Sequence, residues 1–334
     1  MNILINCPPL NNINKKNINK LGGIESLNLA LAKKLIQKKN NVVICSNYKK
    51  NTLSNKIKNI HINKFKKNSK IFKFDVIISS NDASIFNYFP ENCNKIIWLH
   101  NKLQIEKAIR KKQFYSIVKN KITAVFVSDY LKKITSNLYF FNKRVIINNF
   151  LLPNFENNKI NYNRKPIFIW SVQRDVGLIS VINMWINKIY PIYKDVEFYI
   201  YGIEKLPPDI DFNFLKSKNI HFKGRVSKDI LKKKYNEAMG MICLGYDETF
   251  CLNVLEANAC GLPILTLGKT ALKNFVKNNY NGLVAKDINL LSKKITFLIN
   301  SKNLFRNKLI NNSYNYSKKF YLDEVVNDWM ALFK

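Results

Sequence analysis

Short runs of β-branched and aromatic residues alternate along this chain with longer stretches whose apolar positions recur every three or four residues. In the first half the short runs are NILIN, NVVICS, VIISS, KIIWLH, AVFVS and RVIINNF, each predicting a buried strand. Between the first two lies SLNLALAKKLIQKK, where Leu27, Ala30, Leu31 and Leu35 fall close to helical period. A polar, Asn-rich stretch, Asn154 to Lys165, interrupts the pattern and reads as a linker. The pattern then restarts with PIFIWSV, VEFYIYG, IHFKGR, GMICLG and LPILTL, and the chain finishes on SKKFYLDEVVNDWMALFK, a helical stretch. Strand and helix in alternation predict an α/β fold with parallel sheets. The expected organisation is two Rossmann-like domains, residues 1–155 and 160–315, facing across a cleft, with helix 316–334 packing back on the N-terminal one.

Composition adjusts this picture in three ways. Hydrophobic residues make up 47% of the 334, with 22 Phe and 16 Tyr, enough for two cores and too many for a disordered chain. The formal charge is +33, which by itself suggests an anionic partner. The only arginines, however, are Arg110, Arg144, Arg164, Arg174, Arg225 and Arg306, so the excess is nearly all lysine. Lysine accompanies Asn and Ile in runs such as NNINKKNINK, residue types that share adenine- and thymine-rich codons. Lysine gives diffuse attraction rather than bidentate base reading, so nucleic acid is not the expected partner. The six cysteines contain no CxxC pair, which argues against a zinc site or disulfide framework. No apolar run approaches the roughly 18 residues of a membrane span, and the N-terminal MNILINCPPL reads as a strand rather than a leader. A cytoplasmic protein, soluble or peripheral at a membrane, is expected.

The chemistry concentrates in DETFCLNVLEANACGLPIL, Asp247 to Leu265. A strand runs into a loop holding Glu248, a helix follows from about Phe250, and Gly261-Leu-Pro263 stops it. The helix N-terminus offers free N–H groups for phosphate or sugar oxygens. Glu256, two turns in, lies between Leu255 and Ala257. A buried carboxylate needs hydrogen bonds, which ribose hydroxyls would supply. An ordinary helix with an N-terminal acid and one solvated Glu fits the same residues.

The seventeen positions from Glu248 to Ile264 resemble the E-x7-E element of family-4 retaining glycosyltransferases, which has a GT-B fold. The resemblance implies that Glu248 approaches the donor sugar and Glu256 binds the nucleotide ribose. The backbone of Thr249, Phe250, Cys251 and Leu252 would complete the donor site, although the family usually has Gly where Thr249 and Cys251 stand. LGGIESLNLALAKKL is similar to the family's Gly-rich loop and first helix, which makes Gly22 and Gly23 donor-site candidates; a turn capped by Ser26 or Glu25 suits them equally. WSVQRDVGL places Arg174 where the family has a diphosphate-binding arginine, but Val176 where it has a lysine. His100, ending KIIWLH, stands where family members often have a cleft histidine, at the carboxyl edge of a strand where open α/β sheets bind ligands. Asn274 occupies the place of a third glutamate. The site residues so implied are catalytic His100, Arg174 and Glu248, with Gly22, Gly23, Arg174, Glu248, Thr249, Phe250, Cys251, Leu252 and Glu256 toward the donor.

The resemblance implies retaining transfer of a hexose from a nucleotide diphosphate sugar to an acceptor hydroxyl on a glycan or lipid-linked precursor. No cofactor or metal is expected. Gly268-Lys269-Thr270 lacks the upstream Gly of a phosphate-binding loop, Asp209-Ile-Asp211 falls in a surface loop, and no GxGxxG occurs. The basic stretch Leu103 to Lys121 carries Ile105, Ile109, Phe114, Ile117 and Val118. It reads equally as an amphipathic helix on an anionic membrane surface or as a core helix with a solvated lysine face. The competing function, from a different class, is a basic polyanion-binding protein or an inactive transferase-like scaffold.

Overall fold

A computed structural model describes residues 1–10, 21–53, 57–67, 72–90, 92–173, 176–204 and 211–333. The chain divides into two compact units, Met1–Pro153 with Phe320–Lys334, and Asn154–Lys319.

Unit 1 is built on strands β1 (Asn2–Asn6), β2 (Asn41–Ser46), β3 (Lys58–His61), β4 (Val76–Ser80), β5 (Asn94–Leu99), β6 (Thr123–Phe126) and β7 (Lys143–Ile146). They form one parallel sheet in the order β3-β2-β1-β4-β5-β6-β7. Its helices are α1 (Gly23–Gln37), α2 (Ile62–Lys67), α3 (Ile105–Arg110), α4 (Gln113–Lys119) and α5 (Asp129–Ile134). The central strands are buried along nearly their whole length, as sheets covered on both faces require. β7 is half-exposed and sits at the sheet edge. It ends at Ile146, so the run RVIINNF is a strand only at its start; the amide of Asn148 instead donates to the Val127 carbonyl at 2.9 Å. β3 was not legible from its sequence: KNIH is short and half polar, and it is placed by pairing with β2.

Unit 2 carries β8 (Ile167–Trp170), β9 (Glu197–Tyr201), β10 (Ile220–Gly224), β11 (Gly240–Ile242), β12 (Ile264–Thr266) and β13 (Gly282–Val284). All are parallel, in the order β10-β9-β8-β11-β12-β13. The connecting helices are α6 (Leu178–Met184), α7 (Phe212–Ser217), α8 (Lys228–Glu237), α9 (Leu252–Ala259), α10 (Leu272–Phe275), α11 (Ile288–Asn300) and α12 (Asn303–Ser317). At β13, Gly282 pairs with Ile264, and a Cβ there would overlap the Ile264 carbonyl and press on Val276. Neither obstacle is the flexible end of a side chain. Gly282→Ala is therefore expected to lower the unfolding free energy by about 2 kcal/mol, read by denaturant unfolding. An unchanged midpoint would mean that β13 moves aside freely.

The chain returns to unit 1 through α13 (Leu322–Phe333), which packs on α1. Lys34 of α1 pairs with Asp323, and Asn94 donates to the Leu332 carbonyl at 3.2 Å. The basic stretch after His100 is not one continuous helix. Lys112, at φ +55°, breaks it between α3 and α4, and its apolar residues divide. Ala108 and Ile117 are buried, whereas Ile109, Tyr115 and Val118 are exposed. A single amphipathic membrane helix is thereby corrected to two short ones anchored in unit 1. Among the described residues no helix is long and apolar enough to cross a membrane.

Candidate functional site

In unit 2, β8 has β9 on one side and β11 on the other. Chain connections leave the carboxyl ends of β8 and β11 in opposite directions, which opens a crevice there, the place where open α/β sheets bind ligands. Residues 171–173 leave β8 into it, and α6 starts at Leu178, just after Gly177, whose φ of +86° favours glycine. Arg174 falls outside the described residues. Val176, at the position expected for lysine, is exposed.

From β11 the chain passes Gly245 and a loop holding Glu248 before entering α9. The helix begins at Leu252, not Phe250, because Cys251 adopts φ +67° as the residue before its first turn. A left-handed backbone suits glycine and costs another residue about 1 kcal/mol, which accounts physically for glycine being usual there. Cys251 is buried with its Sγ 4.0 Å from Cys243 Sγ, so its side chain packs against the end of β11. Phe250 is buried too, its ring edge-on to Phe275 at 4.5 Å. Glu248 and Thr249 are half-exposed, and the Glu248 carbonyl accepts from the Ala271 N–H at 3.2 Å. Asn274 lies on α10, its carbonyl accepting from Tyr316 Oη at 3.5 Å.

Glu256 is 1% exposed. Its two carboxylate oxygens accept from Lys228 Nζ at 2.6 and 2.5 Å, and the same ammonium reaches Asn253 Oδ1 at 3.3 Å. Burial pushes the Glu256 carboxyl above its ordinary pKa, with Lys228 opposing the shift. Asn253 in turn donates to the Ser171 carbonyl at the end of β8, and Ser171 Oγ meets Tyr235 Oη at 2.7 Å. One polar chain thus joins the ends of β8, α8 and α9. It contradicts the solvated-Glu alternative and adds Lys228, Asn253, Ser171 and Tyr235, which sequence reasoning missed. Lys228 opens α8 behind the capping Ser227, and Ser-Lys-Asp at a helix start reads as an ordinary solvated turn. Arg164, inside the Asn-rich stretch, fixes both helices from below. Its guanidinium donates to the Tyr235 and Cys260 carbonyls at 2.6 and 2.7 Å, and burial brings it down to about 10.

The remaining candidates lie in unit 1. Gly22 precedes α1 in an extended conformation, and the Glu25 carboxylate folds back over it, where a Cβ on Gly22 would stand. Gly23 is the first residue of α1. His100 follows β5 and is 5% exposed. Its backbone N–H donates to Asn81 Oδ1 at 2.8 Å, and its ring lies 4.4 Å from that of Trp98. Burial lowers its pKa to about 3, so the imidazole is neutral. Nearby strand ends carry an uncharged polar belt: Asn6 donates to Ser79 at 2.9 Å, and Asn28 exchanges hydrogen bonds with Ser80 at 2.9 and 3.0 Å. The structure therefore gathers Glu248, Thr249, Phe250, Cys251, Leu252 and Glu256 at one edge of unit 2, and Gly22, Gly23 and His100 in unit 1.

Residues 208–316 match the family model "Glycosyl transferases group 1". An uncharacterized glycosyltransferase of Methanocaldococcus jannaschii is 28% identical over 71% of this chain and 70% of its own. The Campylobacter jejuni N,N'-diacetylbacillosaminyl-diphospho-undecaprenol alpha-1,3-N-acetylgalactosaminyltransferase is 33% identical over 31% of this chain, which spans 27% of that enzyme. Among solved structures, TarM is similar with a TM-score of 0.76 over 100% of this chain and 98% of its own, at 12% identity. A complex of an S. aureus TarM mutant with fondaparinux, alpha-GlcNAc-glycerol and UDP gives 0.61 over 78% of this chain and 55% of that one, at 17% identity. The family match lies on the unit that carries Glu248 and Glu256, and the fold match spans both parallel sheets: residues 208–316 are similar to group 1 glycosyltransferases, and the chain has a two-sheet α/β fold of the GT-B kind.

Proposed function

We propose that the chain transfers a hexose from a nucleotide diphosphate sugar to an acceptor hydroxyl of a glycan or lipid-linked precursor, with retention at the anomeric carbon. The observation that carries this reading is the buried carboxylate of Glu256, just over one turn into a helix whose N-terminus opens at the crevice between β8 and β11. Glu256 accepts from the ribose hydroxyls. Glu248, on the loop before the helix, orients the sugar. Arg174 and the amides that begin α9 offset the charge that develops on the leaving diphosphate, a role for preorganised dipoles. As the bond from the sugar's anomeric carbon to the phosphate oxygen breaks, a bond to the acceptor oxygen forms. The acceptor proton leaves toward the departing phosphate. His100, its imidazole held neutral by burial, acts as an uncharged hydrogen-bonding group. No metal enters this scheme.

The test uses Glu256→Gln and Arg174→Ala in the full chain, with binding of UDP, GDP and ADP by calorimetry and transfer from the matching sugar nucleotides. Losing charged hydrogen bonds to ribose should weaken the preferred nucleotide about tenfold or more in Glu256→Gln, and Arg174→Ala should lower turnover. Full binding and full turnover in both variants would sink the assignment. Retention on heparin in the absence of any nucleotide binding would favour the polyanion-binding alternative.

A further inference from the structure

Lys228 sits among acceptor oxygens at the edge of the buried carboxylate. Its ammonium has three hydrogens, and three oxygens surround it: both carboxylate oxygens of Glu256 and Oδ1 of Asn253. Glu256 is almost wholly buried, whereas the Lys228 side chain is 30% exposed, so the lysine spans the boundary between solvent and the carboxylate. It reaches there from α8, the helix that follows β10, across to α9, while the same Asn253 ties α9 to the end of β8. Among the described residues, the titratable groups that act on Glu256 are Lys228 and Tyr235 on α8 and Cys260 after α9. Of these only Lys228 brings positive charge. A carboxylate removed from water without a cation takes up a proton instead of staying charged.

The role proposed for Glu256 depends on its being an anion. A carboxylate offers lone pairs on both oxygens to a vicinal diol, whereas a protonated carboxyl makes one oxygen a donor. We propose that Lys228 is a positioning residue for the donor, holding the Glu256 carboxylate ionised and aimed so that it receives both ribose hydroxyls. This inference rests on the donor-site reading above and names a residue on which that site depends. After ribose binds, the ammonium keeps its contact, since each carboxylate oxygen has a second lone pair for the diol. Lys228 touches the carboxylate rather than the reacting atoms.

The experiment measures the affinity of UDP and of 2′,3′-dideoxy-UDP from pH 6 to 9.5 for the wild-type chain and for Lys228→Met, Lys228→Gln and Lys228→Arg. The Gln variant keeps a donor in case Met fails to fold. In Met and Gln, Glu256 is protonated at low pH, so UDP binding should fall about tenfold near pH 6, like Glu256→Gln. It should then recover as rising pH ionises the carboxyl. The sign follows from a raised carboxylate pKa: the anion is present above it and lost below. Lys228→Arg should stay within about threefold of wild type at every pH, and the dideoxy analogue should bind all four proteins alike, because it lacks the hydroxyls that read Glu256. Equal weakening of UDP and the dideoxy analogue would overturn the proposal and place Lys228 on the diphosphate. So would a loss in Met and Gln that does not change with pH, or no loss at all. If the wild-type chain binds none of UDP, GDP or ADP, the donor reading itself falls and this role falls with it. If wild type binds and the Lys228 variants match it throughout, only the Lys228 role falls.

Discussion

Trp329→Ala is expected to lower the stability of unit 1 by about 4 kcal/mol, the usual cost of emptying a buried tryptophan site. Trp329 is fully buried on α13, and its ring meets Trp98 of β5 edge-on at 4.9 Å, with Phe333 at 6.4 Å. Trp98 continues the cluster to Phe150 at 6.2 Å and to His100 at 4.4 Å. Alanine would leave a void on one side of this cluster, which the surrounding sheet is too closely packed to close. Because the chain has two units, the loss should appear in the transition that unfolds unit 1 and leave the other in place. Denaturant unfolding followed by circular dichroism would measure it. A loss below about 1 kcal/mol would mean that α13 is held by its polar ties, such as Lys34 to Asp323, and not by this cluster.

Acid should destabilise the same unit through His100. Its folded pKa is about 3, against an ordinary 6.5, because burial opposes the charged ring. The folded pKa lies below the unfolded one, so between those values the unfolded chain binds a proton that the folded chain refuses. The associated stability is therefore complete above pH 6.5 and lost progressively as pH falls toward 3. At about 1.4 kcal/mol per unit, the loss should reach about 3 kcal/mol by pH 4.5. His100→Asn removes the titration, so the wild-type and Asn stability curves should converge as pH falls. Curves that stay parallel from pH 7 to 4.5 would show that His100 takes up its proton in the folded chain as readily as in the unfolded one.

Hydrophobic period made most of the fold legible. Parallel strands covered on both faces must be apolar along their length, so runs such as VIISS and KIIWLH announce themselves. Where strands are short or polar, as in Lys58–His61 and Gly282–Val284, the signal disappears and only pairing to a neighbour makes a strand. The break at Lys112 and the left-handed Cys251 were illegible for a related reason: neither residue favours positive φ, so the surrounding packing imposes it.

The glutamate element was legible because its residues are close in sequence. The glutamates at Glu248 and Glu256 stand on one loop and the helix that follows it, so eight residues of spacing set their relation. Arg164 shows the opposite case. It sits in a stretch whose composition reads as linker, yet its guanidinium caps the carbonyl ends of α8 and α9, whose residues are about 70 and 96 positions away.

By itself the sequence determined the α/β class, the two rounds of strand–helix alternation and the helix that begins beside Glu248. Each depends on side chains a few residues apart. The tertiary structure alone decided that Glu256 is buried, that Lys228 from another helix supplies its counter-charge, and that Asn253 binds that pair to the end of β8. The physical reason is that charge stabilisation acts through distance in space. Residues 28 positions apart become partners only when two helices and a parallel sheet bring their ends together.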